Sequence, residues 1–323
     1  MTKKRSSGCC LWIFLGLFLG CVFFLGGVMF WLASPAGKAL LATPAPINTC
    51  EGLLADIHKT SGANTNIQTD KRYILEVYKV SGDQLSEPEE KPVPDNLVPL
   101  QKDLKSQMLI WEYFVSIIPA EQRAPLNEFR IFSDGTGNTN GFNEISWTYS
   151  GSEETETWVL EIDLADYQDL KSINDVIVHE LGHLLTLNLH QIDIRTKAEN
   201  CKYFAQSDCS KEDSYINLFY EKFWKGELYD EWKTIKARSD PAAVAKGLDA
   251  FYTDHPGVFV RPYAATSLEE DIADSWTYFV MTPRPSGNTL TDQKSLFFYD
   301  FPEMVNLRTK IRSRICKYYN MPD

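Results

Sequence analysis

His179 and His183 stand four residues apart in "NDVIVHELGHLLTL", with Glu180 directly after the first histidine. On a helix they lie one turn apart on one face, so both imidazoles can reach a single ion. Glu180 is turned about 100° away from His179 and suits a different task, taking a proton from a water activated by that ion. This H-E-x-x-H spacing uses two of only five histidines in 323 residues. The competing reading is a buried helix whose histidines satisfy core hydrogen bonds.

Two histidines do not complete a catalytic metal site, which normally has three protein ligands and one open position. A third histidine six residues after His183 would fall on Leu189. His190 misses that register by one residue and reads as a helix-end residue. The better candidate is Glu270 in "FVRPYAATSLEEDIADSW", with Asp274 one turn further along a predicted helix. Glu270 then completes a His/His/Glu set, and Asp274 can fix the tautomer of a ligand histidine by accepting from its free ring nitrogen. Glu269 and Asp271 read as a solvated acidic face of the same helix.

These residues need elements to hold them. Ser172 and Asp175 resemble a capping box, which starts the histidine helix near Ile173. Val176, Ile177, Leu184, Leu185 and Leu187 supply the apolar surface that buries it. "KRYILEVYKV" (Lys71 to Val80), "EFRIFSDGTGNTNGFNEISWTY" and "ETETWVLEIDLADY" read as strands broken by Gly/Asn turns. "TWVLEID" is the expected sheet edge for an extended substrate, and "SEPEEKPVPDN" a surface loop. Leu100, Leu104, Met108, Trp111 and Phe114 keep helical spacing between Leu97 and Ile118. Helices are also expected at "SYINLFYEKFW", onward to about Tyr252, at "SLEEDIADSWTYFVM" and at "FPEMVNLRTKIRSRICKYY". Strands first and helices later predict an α+β domain with a small mixed or antiparallel sheet.

The N-terminus sets the compartment. Lys3, Lys4 and Arg5 precede an uncharged apolar run from about Leu11 to Ala33, long enough to span a bilayer. It exceeds the roughly 7–15-residue apolar region of a cleaved leader. Trp12 and Trp31 near its ends suit the two interfaces, and the charge bias keeps residues 1–10 cytoplasmic. A 34–48 tether and a 49–323 extracytoplasmic domain follow; cleavage near Ala36 or Ala42 is the rival. Gly16 and Gly20 form a GxxxG pair, a weak dimerisation signal. Four exported cysteines predict two disulfides. The close spacing favours Cys201 with Cys209, leaving Cys50 with Cys316. The formal charge of −12, without a basic stripe, argues against nucleic acid.

"HELGH" followed by "YAATSLEEDIADSW" resembles the gluzincin group of zinc metallopeptidases, especially exported bacterial ones, over roughly residues 129–280. Asp274 stands where glutamate is common in that group, and Ser267-Leu268 where Asn-Pro is frequent. The resemblance implies a zincin-like fold, Zn2+ at His179, His183 and Glu270, Glu180 as general base, Asp274 in support and Tyr263 as the phenol that steadies an oxyanion. Packing is the bland alternative for Tyr263, and His255 a weaker candidate for its role. The expected protein is therefore a membrane-anchored, extracytoplasmic zinc endopeptidase acting on a peptide or protein. The alternatives are a zinc hydrolase of a non-peptide or cell-wall amide, and an inactive membrane-tethered binding module.

Overall fold

The computed structural model describes residues 49–60, 72–133, 145–149, 157–204 other than 166, 168 and 172, and 208–321, all within the unit formed by residues 47–323. The expected N-terminus, membrane span, GxxxG pair and tether lie outside these residues, as does Ser172. Among the described residues, no helix is long and apolar enough to cross a membrane.

The chain is α+β, with a mixed six-stranded sheet in its first half and helices dominating the second. Helix α1 (Cys50–Thr60) comes before the sheet, an element the sequence did not signal. β1 (Tyr73–Ser81), β2 (Gln84–Leu85) and β3 (Glu89–Glu90) follow, so the acidic loop at 86–96 carries a short strand paired with β1. The helix expected over 97–118 is interrupted at Lys102 and Asp103. It forms α2 (Val98–Gln101) and α3 (Leu104–Ile117), where Asp103 caps α3 by accepting from the amide of Ser106 at 3.2 Å. The buried stripe of α3 runs through Gln107, Ile110, Trp111, Phe114 and Ile117, leaving Leu104 exposed.

After α4 (Ala120–Arg123) come β4 (Leu126–Ser133), β5 (Ile145–Tyr149) and β6 (Trp158–Asp163). The strand order is β2-β1-β4-β6-β5, with β4 and β6 parallel and the other ladders antiparallel. β6 therefore lies inside the sheet, paired on both sides. The expectation that "TWVLEID" forms the edge is wrong; among the described residues β5 is the edge on that side. All six residues of β6 are buried, as befits a strand covered on both faces. Glu161 within it is compensated by Arg72 at 2.6 Å and Arg130 at 3.3 Å.

Helix α5 (Asn174–Leu187) carries the two histidines, and its Ile177, Val178, Leu181 and Leu184 enter the same core as Phe129, Ile131, Leu160 and Ile162 of the sheet. The cysteine-containing region beyond it is a hairpin of β7 (Ile192–Lys197) and β8 (Asp208–Ser210) rather than a plain loop. Then come α6 (Tyr215–Phe223), α7 (Glu227–Lys236), α8 (Pro241–Asp254), a 3-10 turn (Pro262–Thr266), α9 (Leu268–Met281), α10 (Leu290–Phe297) and α11 (Pro302–Tyr318). Both predicted disulfides form, Cys201–Cys209 and Cys50–Cys316, with Cα separations of 5.4 and 5.5 Å. The second joins α1 to α11.

Candidate metal centre

Two helices build the site. α5 starts at Asn174, whose side chain accepts from the Tyr113 hydroxyl and donates to the carbonyl of Leu170 at 2.8 Å. No side chain caps the helix at Ile173. Asp175, expected in a capping box, instead meets Nδ1 of His58 on α1 at 2.8 Å. Burial raises the carboxyl pKa of Asp175, with His58 pulling the other way.

α9 lies across α5 at very short range. A Cβ added to Gly182 would stand 3.0 Å from Trp276 Cδ1 and 3.1 Å from the Ala273 backbone. Glycine is thus needed here for close approach, and that approach brings the start of α9 to the histidines. Ser267 caps α9 by accepting from the amide of Glu270 at 3.2 Å. In a capping box the glutamate at this position would fold back on the cap. Here its carboxylate points to α5 instead.

Glu270 Oε2 stands 3.0 Å from His179 Nε2 and 3.4 Å from His183 Nε2. Nitrogen and oxygen ligands about 2.1 Å from one tetrahedral ion are themselves about 3.4 Å apart, so these two separations are compatible with a shared metal ion. The two imidazole rings are 4.7 Å apart and nearly perpendicular. One donor atom each from His179, Glu180 and His183 also lies within 4.8 Å of the others, so Glu180 borders the same space. On the far side of His179, Nδ1 is 2.8 Å from Asp274 Oδ1, which leaves Nε2 for the site.

The electrostatics call for positive charge at this place. Burial opposes protonation of His179, yet Asp274 and Glu270 outweigh it and push the pKa up to about 10. His183 is likewise raised by Glu270 against burial. Glu270, although buried, is held well below the usual carboxylate range by the two histidines. A divalent cation meets that demand as well as protons do, so the donor set and its spacing fit a metal ion.

Tyr263 sits on the 3-10 turn before α9, its ring 5.9 Å from that of His179. Burial drives its hydroxyl pKa up, with Glu270 and Glu180 adding to the effect, and the hydroxyl is hydrogen-bonded to Glu270. His255 is elsewhere, capping α8 with Nδ1 2.8 Å from the Phe251 carbonyl and Nε2 3.4 Å from Glu231. His190 is exposed beyond the end of α5, as its register implies.

Two sequence expectations fail here. Asp271 is not solvated; it is fully buried and paired with the equally buried Lys294 of α10 at 2.5 Å, and it accepts from the Trp224 indole at 2.7 Å. Glu269 is half-buried beside Glu270 and His183, and burial raises its pKa. The sequence also passed over Arg261, which donates to both oxygens of Asp274, and His58. Neither lies on a periodic pattern with the residues it meets, so no local signal marks them.

No family model matches this chain, and comparison with curated proteins and with solved structures finds no match either.

Proposed function

We propose that this protein is a zinc-dependent endopeptidase with a gluzincin-type site and a zincin-like fold, in which His179, His183 and Glu270 hold the metal. The observation that carries this reading is the convergence of Glu270 Oε2 on the Nε2 atoms of both histidines, with Glu180 at the same space. A bound zinc ion would supply Lewis-acid polarisation of a substrate carbonyl and of a water.

The chain's own groups perform the remaining tasks. Glu180, one residue after a ligand, takes the proton of the attacking water and returns it to the leaving amine. Tyr263 keeps its proton because burial raises its pKa, so it can donate to the developing oxyanion. Asp274 accepts from His179 Nδ1 and thereby holds the ring in register. β5, an edge strand among the described residues and next to buried β6, suits pairing with an extended peptide. The two disulfides support an oxidising, extracytoplasmic location, and the apolar N-terminal run supports a single-pass membrane anchor.

The test measures metal content and casein cleavage for the full-length protein and its Glu180→Gln variant. Stoichiometric zinc in both, with cleavage lost by at least about 100-fold in the variant, is the expected result. Zinc without cleavage by either protein would transfer the metal site to another amide substrate or to a binding role. Absence of zinc would sink the metal reading altogether.

A further inference from the structure

Behind the ligands, α5 and α9 each carry a buried carboxylate, Asp175 and Asp274 respectively. A carboxylate removed from water must be paired to stay ionised. Asp175 has His58. Asp274 has Arg261, whose Nε donates to Oδ2 at 2.7 Å and whose Nη2 donates to Oδ1 at 2.5 Å. This fork holds both carboxylate oxygens and so fixes the plane of the group. With Asp274 unable to rotate, Oδ1 faces Nδ1 of His179 at 2.8 Å, and only the Nδ1–H form of the ring makes that bond while directing Nε2 to the site.

Arg261 has a second connection. Its backbone is extended (φ −154°, ψ 168°) and immediately precedes the 3-10 turn that begins at Pro262. Anchoring its side chain on α9 therefore fixes where the turn starts. Tyr263 follows two residues later, with its ring centroid 5.7 Å from the guanidinium carbon.

We infer that Arg261 is a positioning residue: by clamping Asp274 it sets the orientation and tautomer of His179 for metal binding, and it ties the turn carrying Tyr263 to the same point. The inference rests on the proposed metal site. Lysine could restore the charge at this position but not the fork.

The experiment compares zinc affinity by chelator competition in the full-length wild type, Arg261→Met, Arg261→Lys, Asp274→Asn and the Arg261→Met/Asp274→Asn double variant. Thermal unfolding reports which variants fold. Arg261→Met should bind zinc about 10–100-fold more weakly, the usual cost of removing a group that orients a ligand. Arg261→Lys should recover part of that loss, and the double variant should be no weaker than the poorer single one. Wild-type affinity in folded Arg261→Met, or losses that add in the double variant, would overturn the inference. If Arg261→Met does not fold, unchanged affinity in Arg261→Lys overturns it equally. Such a failure leaves tight zinc binding by the wild type. Failure of the peptidase reading appears separately as zinc bound without cleavage, and no zinc in the wild type overturns both.

Discussion

At the scale of the residue, charge and burial decide the behaviour of individual groups. Glu270 and Asp274 are strong acids beside histidines, whereas Glu76 of β1 shows the opposite case. It is fully buried, and neither of its carboxylate oxygens has a hydrogen-bond partner among the described residues. Burial and the charge of Glu90 push its pKa up to about 7, with Lys102 opposing. The folded state therefore favours the protonated acid. Stability from this group is fully present below the unfolded carboxyl pKa, near 4.3, and is lost as pH rises through about 7. We predict that Glu76→Gln stabilises the protein by roughly 3 kcal/mol more at pH 8 than at pH 4. Urea midpoints at the two pH values test this; an equal effect of the substitution at both would refute it.

At the scale of the element, the site depends on how closely two helices approach. Gly182 and Ala273 let α5 and α9 touch almost backbone to backbone, and the Ser267 cap then presents Glu270 to the histidines. A methyl group at position 182 would press on the Ala273 backbone, which cannot yield as a flexible side chain would. Gly182→Ala gains helix propensity, yet overpacking should outweigh that gain and destabilise the fold by about 1–3 kcal/mol. Zinc affinity should fall as well, because the added methyl forces α9 and its Glu270 outward. Chemical denaturation and chelator competition measure the two effects. A stabilised variant with unaltered zinc affinity would show that helix spacing is not the controlling feature.

At the scale of the whole molecule, the two ends of the described chain are fastened behind the site. Cys50 on α1 and Cys316 on α11 are joined across 266 residues, and His58 of α1 reaches Asp175 on α5. Closing so long a loop restricts the unfolded chain far more than the folded one. Replacing both cysteines with alanine should cost about 3–5 kcal/mol, while the folded variant still binds one zinc. Calorimetry with metal analysis would check this, and a thermal midpoint within a degree of wild type would count against it.

The amino-acid sequence by itself determined what local periodicity encodes. His179, Glu180 and His183 were legible because a helix fixes their relative positions, and Glu270 with Asp274 because they repeat that one-turn spacing. Tyr263 was singled out through family resemblance, and Cys50, Cys201, Cys209 and Cys316 could be paired by spacing and elimination. Tertiary structure alone decided the rest. Asp271 sits in an acidic run and looked solvated until α10 brought Lys294 to it, since burial depends on the covering element as well as the residue. β6 looked like an edge until its pairing was known, because strand composition does not specify which neighbours complete a ladder. Arg261 lies in an extended segment with no repeat linking it to Asp274, 13 residues later, and only the return of the chain onto α9 makes them a pair. A regular helix fixes local spacing through its own backbone geometry, whereas contacts between separate elements exist only after those elements have found one another.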